Sequence, residues 1–251
     1  MNRFLITSNK MLLQIFLSLS IILFLTGFET EGSTQALNKT THKTKVIYLT
    51  FDDGPSPEAG KLLDILNKYN AKATFFMLGP NMEKNPDVVK RMVEGDFGIG
   101  LHGMTHDVHQ IYRSKTAPVI EMTEAQQILN DISDKQSTLV RLPYGSIPYL
   151  TEEMRFLLGQ KNFEIWDWNV DSEDWEMEEG SFVEQTIDSI EELENAGKTP
   201  VVLMHDKPET IQQLPELLSY LQQQGYEAKS LTNELTPLTF KCQGRCRSLD
   251  I

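Results

Sequence analysis

The chain has 251 residues, 40% of them apolar, and a formal net charge of −13. That length suits one sizeable core, since barrel-type α/β domains of about 200–250 residues occur as single units. The acidic balance excludes nucleic acid and anionic membrane surfaces as partners, which need clustered Lys and Arg against their phosphates; it fits a neutral substrate, or a product that gains positive charge.

Arg3 and Lys10 precede an apolar run from Met11 to Phe28, broken by Gln14, Ser18, Ser20, Thr26 and Gly27. A basic stretch ahead of an apolar one is the layout of an export signal. The run is also at the short edge of what spans a bilayer. Residues 1–28 are therefore expected to be a signal peptide or a membrane anchor, and the protein to be secreted or held at the cell surface. Residues 29–44, rich in Thr, Glu, Ser, Gly, Asn and Lys, read as a flexible tether, and His42 within it as inert.

Beyond the tether, short β-rich runs alternate with segments of helical period. Strands are expected at Val46–Phe51, Ala73–Leu78, Phe97–Leu101, Leu139–Leu142, Phe163–Val170, Val201–Met204 and Ala228–Leu231. Helices are expected at Glu58–Tyr69, Asp87–Glu94, Val119–Ile132, Thr151–Leu158, Phe182–Asn195 and Thr210–Gln224. Such βα units surround a parallel sheet, either doubly wound or closed into an incomplete barrel, and both put ligands at the carboxyl ends of the strands. The domain is expected over residues 45–235 and a C-terminal tail over 236–251. In that tail Cys242 and Cys246 either close a small disulfide loop or are an ornament unrelated to activity.

The residues that follow the strands are Asp52 and Asp53, His102 and His106, Arg141, Asp171 and Asp174, and His205. Solvated charges would have no reason to keep that phase. Asp52-Asp53-Gly54-Pro55 reads as a turn or as chemistry: neighbouring carboxylates on an extended segment point to opposite sides, so one can bind a metal while the other stays free as a base. Gly54 and Pro55 would then fix the backbone so that both face the cleft. The i, i+4 spacing of His102 and His106 places two imidazoles on one face of a helical turn, within reach of one ion. With Asp53 they make three ligands with open positions, the pattern of a catalytic zinc; His109 is a weaker competitor. His205, ending an apolar run, is either a hydrogen-bonded core histidine or a general acid. Arg141 needs a carboxylate partner, which Asp52 or Asp174 can provide. Alternation puts Trp166 and Trp168 on one side of a strand as core, whereas Trp175 lies beyond it, where its ring can wall a sugar groove.

These motifs, from about Lys45 to Thr232, resemble the polysaccharide deacetylases, the NodB-like carbohydrate esterases. The resemblance implies a single-domain α/β fold, a distorted, incomplete (β/α)7-type barrel. It implies Asp52 as general base, Asp53, His102 and His106 as metal ligands, and His205 as general acid. Arg141 would orient the base, Asp174 would support the catalytic group, the Tyr144 backbone N–H would hold the oxyanion, and Trp175 would line the groove. Two positions depart from the pattern: Gly103 stands where a loop-bracing Ser or Thr is usual, and Asp107 where Pro is frequent.

The expected activity is therefore a metal-dependent hydrolase of linear amides that frees acetate from N-acetylglucosamine-type residues of a polysaccharide, peptidoglycan first and chitin-like glycans next. The metal is expected to be zinc, with cobalt or nickel as substitutes. Rival readings are a zinc amidase or esterase for small acylated compounds, and an inactive surface carbohydrate-binding module.

Overall fold

The computed structural model describes residues 45–176 and 181–249. The apolar run at 11–28 and the tether at 29–44 lie outside the described residues. Among the described residues, no helix is long and apolar enough to cross a membrane.

Eight strands are described: β1 (Lys45–Asp53), β2 (Thr74–Met77), β3 (Gly98–Leu101), β4 (Leu139–Val140), β5 (Glu164–Ile165), β6 (Val170–Asp171), β7 (Val201–His205) and β8 (Tyr226–Lys229). All pair in parallel, in the order β5-β4-β3-β2-β1-β7-β6, with β8 on β1. Tyr48 of β1 partners both Val201 and Lys229, so β8 lies on the edge away from β7 and precedes β2 along it. Eight helices connect them: α1 (Ala59–Lys68), α2 (Gly79–Lys84), α3 (Pro86–Glu94), α4 (Val108–Ile111), α5 (Ala117–Ser133), α6 (Glu152–Gln160), α7 (Ser181–Asn195) and α8 (Pro208–Gln223).

The helices cover the outer face of the sheet because their apolar residues recur at helical spacing. In α1, Ala59, Leu62, Leu63 and Leu66 are buried, and each such leucine contributes about 1.5–3 kcal/mol of transfer free energy. They join Ile47, Leu49 and Phe51, the outward-facing residues of β1, in the main core. The alternate residues of β1 face the other way, where a second cluster of Phe76, Leu139, Trp166 and Leu231 packs with Tyr48. This small apolar plug fills the inside of the half-barrel and is the floor on which the polar residues at the strand ends rest.

The expected strand Phe163–Val170 is two strands. β5 pairs with β4 at one edge of the sheet and β6 pairs with β7 at the other, so residues 166–169 cross the gap where a full barrel would close. Their backbone groups find other partners: the Asp167 N–H donates to Leu238 O and the Asn169 N–H to Val201 O. The C-terminal segment packs along this crossing, where the Phe240 N–H donates to Asp167 Oδ2 and the Thr239 hydroxyl to Ile165 O. Cys242 and Cys246 are joined in a disulfide just beyond it. Two short helices lie outside the expected set. α2 opens on Gly79-Pro80, residues that read as breakers although Pro suits a first turn. α4 is a single turn whose cap, Asp107, accepts from the His109 N–H.

Gly100 of β3 is opposite Phe76 in register, and a Cβ there would lie 2.3 Å from the Phe76 ring. Gly100→Ala is expected to cost about 1–3 kcal/mol by overpacking, read as a lower urea midpoint with an unchanged slope.

Candidate active site

Asp52 is the penultimate residue of β1 and pairs in register with His205, the last residue of β7. Adjacent parallel strands point register partners to the same side, about 4.8 Å apart. Asp53 would face away from Asp52 if the strand continued, but its φ is 72°. The backbone has left the extended region, and both carboxylates line one cleft of about 450 Å³. Asn81 Nδ2 holds the turn by donating to Asp53 O at 2.7 Å.

Arg141 follows β4 and has no exposed surface. Its Nη1 donates to Asp52 Oδ1 at 2.9 Å and to Thr50 Oγ1 at 2.6 Å, while Nε and Nη2 donate to the carbonyls of Trp166 and Asp167 at 3.1 Å. The guanidinium lies 4.2 Å from the Phe76 ring centroid, an attractive cation–π contact. Its carboxylate partner is thus Asp52, not Asp174. Burial pushes the Asp52 carboxyl above its usual range, and Arg141 opposes that shift.

His102 and His106 do not share a helical turn. They bound a loop after β3 in which Gly103 has φ 88° and His106 φ 47°, and left-handed residues cannot continue an α-helix. The helical turn starts only at Val108. The loop nevertheless brings both rings to Asp53: their Nε2 atoms lie 3.5 Å (His102) and 3.4 Å (His106) from Asp53 Oδ1.

His102 Nδ1 is 2.8 Å from the Arg141 carbonyl, which can only accept. The proton therefore sits on Nδ1, and Nε2 turns its lone pair towards Asp53. Burial lowers the His102 pKa to about 3, so the ring is neutral. Asp53 Oδ1 is itself buried with no hydrogen-bond partner. One ligand atom from each of the three residues lies within 4.8 Å of the others. A buried carboxylate oxygen without a hydrogen-bond partner, facing the lone pair of His102 Nε2 with a second imidazole nitrogen in reach, is a donor set that fits a divalent metal. His109 is not part of the cluster.

His205 faces this group across the cleft. Asp174 Oδ1 binds its Nδ1 at 2.7 Å and Asp174 Oδ2 accepts from its backbone N–H at 2.7 Å. Thr210 Oγ1 adds a third bond to the same carboxylate at 2.6 Å. Burial disfavours the imidazolium, but the hydrogen bond and charge of Asp174, aided by Asp52 and Asp53, outweigh it and raise the His205 pKa. Asp174 is lowered for the reciprocal reason: burial would raise it, and His205 and Thr210 prevail. Trp175 and Tyr144 flank the opening, each 52% exposed. The Tyr144 hydroxyl donates to His106 O at 2.8 Å.

A family model described as polysaccharide deacetylase matches residues 39–163. A peptidoglycan-N-acetylglucosamine deacetylase of Bacillus cereus is 40% identical over 196 residues, covering 76% of this chain and 70% of that protein. The chain belongs to the polysaccharide deacetylase family. Solved structures agree: a polysaccharide deacetylase from Bacillus cereus superimposes with TM-score 0.72 at 38% identity, over 80% of this chain and 99% of that one. The catalytic domain of a peptidoglycan N-acetylglucosamine deacetylase from Eubacterium rectale gives TM-score 0.70 at 27% identity, over 79% and 94%.

Several supports of this deacetylase-family site escaped the sequence reading. Thr50 could have been found, since it lies two residues before Asp52 and so on the same strand face; its hydroxyl donates to Val202 O while accepting from Arg141. Thr210 and Asp167 carry no such signal. Trp166 is core, at 2% exposure, but Trp168 lines the cleft and packs edge-on against Phe240, with centroids 5.3 Å apart. The two rings part company because residues 166–169 cross the sheet gap instead of forming a strand.

Arg141→Met would leave Asp52 buried and unpaired, at a cost of about 3–5 kcal/mol near neutral pH. The deficit should narrow in urea titrations towards pH 4, because protonated Asp52 no longer carries the buried charge.

Proposed function

We propose that this protein is a metal-dependent N-deacetylase that releases acetate from N-acetylglucosamine-type residues of a polysaccharide, with peptidoglycan as the polymer. The observation that carries the reading is the orphaned Asp53 Oδ1 beside two imidazole Nε2 atoms, with a guanidinium-held carboxylate next to it and a carboxylate-held imidazole opposite.

Asp53, His102 and His106 would hold a divalent cation, which would supply Lewis-acid polarisation of an amide carbonyl and lower the pKa of water at the site. Zinc suits two imidazoles and one carboxylate with open positions, and cobalt or nickel suit the same donors. Asp52, oriented by its bond to Arg141, takes the proton of the attacking water. The Tyr144 backbone N–H, at a residue with φ 66° on the cleft wall, donates to the developing oxyanion. His205 protonates the departing amine through Nε2 while Asp174 holds Nδ1. The rings of Trp175 and Trp168 offer apolar faces to the sugar.

Peptidoglycan is reached only outside the membrane, and the basic and apolar layout of residues 1–28 supports export to the cell surface, by signal peptide or anchor. The relatives named for peptidoglycan deacetylation favour that polymer over chitin.

Asp52→Ala and His205→Ala should each abolish acetate release from purified cell walls while zinc content, measured by atomic absorption, stays at the wild-type level; near wild-type turnover in either would overturn the assignment. Asp174→Asn removes the group that raises His205 but leaves its burial, so the alkaline limb of kcat/KM should move to lower pH. A limb that stays in place would place the acid elsewhere.

A further inference from the structure

The loop that carries His106 is gripped from outside by a side chain that the chemistry above does not use. Glu121, on the first turns of α5, is only 7% exposed, amid the buried helix residues Ala117, Met122 and Ala125. A carboxylate is costly there unless its lone pairs are filled. They are filled by the histidine loop: Oε2 accepts from the N–H groups of Met104 at 2.9 Å and Thr105 at 3.1 Å, and Oε1 from the Thr105 hydroxyl at 2.8 Å.

The fit is close on the other side too. Gly103 has φ 88°, and a Cβ there would stand 3.0 Å from Glu121 Oε2. Residue 103 thus cannot brace the loop with a side chain of its own, and the carboxylate takes the space. The loop's other hydrogen bonds are at its ends, from the Gly79 N–H to Gly103 O at 2.9 Å and from the Tyr144 hydroxyl to His106 O at 2.8 Å, and the Met104 side chain packs against the main core. His102 is secured separately by β2, through its N–H to Met77 O, and by the Arg141 carbonyl. His106 has no such strand contact, and its backbone sits at φ 47°.

We propose that Glu121 is a positioning residue that sets the affinity of the Asp53, His102 and His106 cluster for a divalent cation, by fixing the strained backbone from which His106 reaches Asp53. This rests on the reading of that cluster as a metal site. Without Glu121 the site would keep two ordered donors and a loosely held third.

The test is zinc affinity, measured by competition with a chromophoric chelator on metal-free protein well below its unfolding midpoint, for wild type, Glu121→Ala, Glu121→Gln and Thr105→Val. Loss of a residue that orients a metal ligand typically costs about 10–100-fold in affinity, and Glu121→Ala is expected in that range. Glu121→Gln should fall between it and wild type, because an amide sets an N–H₂ against the loop's donors. Thr105→Val, which removes one bond of the three, should lose least; if the alanine variant does not fold, these two carry the test. A merely structural role would lower the unfolding midpoint and leave affinity untouched. Wild-type affinity in folded Glu121→Gln and Thr105→Val overturns the proposal while the cluster stands. Failure of the wild-type chain to bind zinc overturns the metal reading and this proposal with it.

Discussion

A guanidinium without exposed surface sits at the carboxyl end of the sheet, and the rest of the site is arranged about it. The side chain of Arg141 holds the proposed base, Asp52, and its own backbone carbonyl holds the ring of His102. One residue thus sets the direction of the proposed base and the tautomer of a proposed metal ligand. It also ties both to the crossing at residues 166–169, whose carbonyls receive two of its donors. A buried charge is tolerable only when its donors are filled, so the energetic demand of Arg141 and the geometric demand of the site are met by the same bonds.

Around this point the charges divide into three environments. Asp52 is paired with a permanent cation, Asp174 with a titrating imidazole, and Asp53 Oδ1 faces the Nε2 atoms of His102 and His106 without a hydrogen-bond partner. Three carboxylates close together would repel one another in a low-dielectric cleft. The separate partners remove that repulsion for two of them, and the third fits the place proposed for a metal cation. The pairing suits the proposed roles, since a base, an acid and a ligand need different protonation states at one pH.

The sheet supplies the distances. β1 pairs with β2 on one edge and β7 on the other, so the ends of three strands meet at Asp52, His205 and Met77. The incomplete closure matters as well. A full barrel would put another strand where residues 166–169 cross, and the carbonyls that Arg141 needs would be spent in a ladder. The C-terminal segment occupies the outside of the gap, where Phe240 packs on Trp168 and its N–H reaches Asp167. The stretch expected to be a tail is therefore part of the wall behind the cleft.

The local chemistry was legible in the order of residues. Alternating apolar runs placed Asp52, His102, Arg141 and His205 at strand ends, because strand and helix periods are properties of neighbouring residues and need no tertiary information. Motif spacing picked out Asp53, His102 and His106, whose candidate ligand atoms the fold brings together, although it assigned the histidines to a helical turn that the left-handed backbone at Gly103 and His106 does not form. Only the folded structure decided that Arg141 pairs with Asp52 and not Asp174, that Trp168 leaves the core, and that Glu121 reaches the histidine loop. These are contacts between side chains far apart in the chain, fixed by strand register and by the gap in the barrel. No local pattern encodes them, because each depends on which elements become neighbours in space.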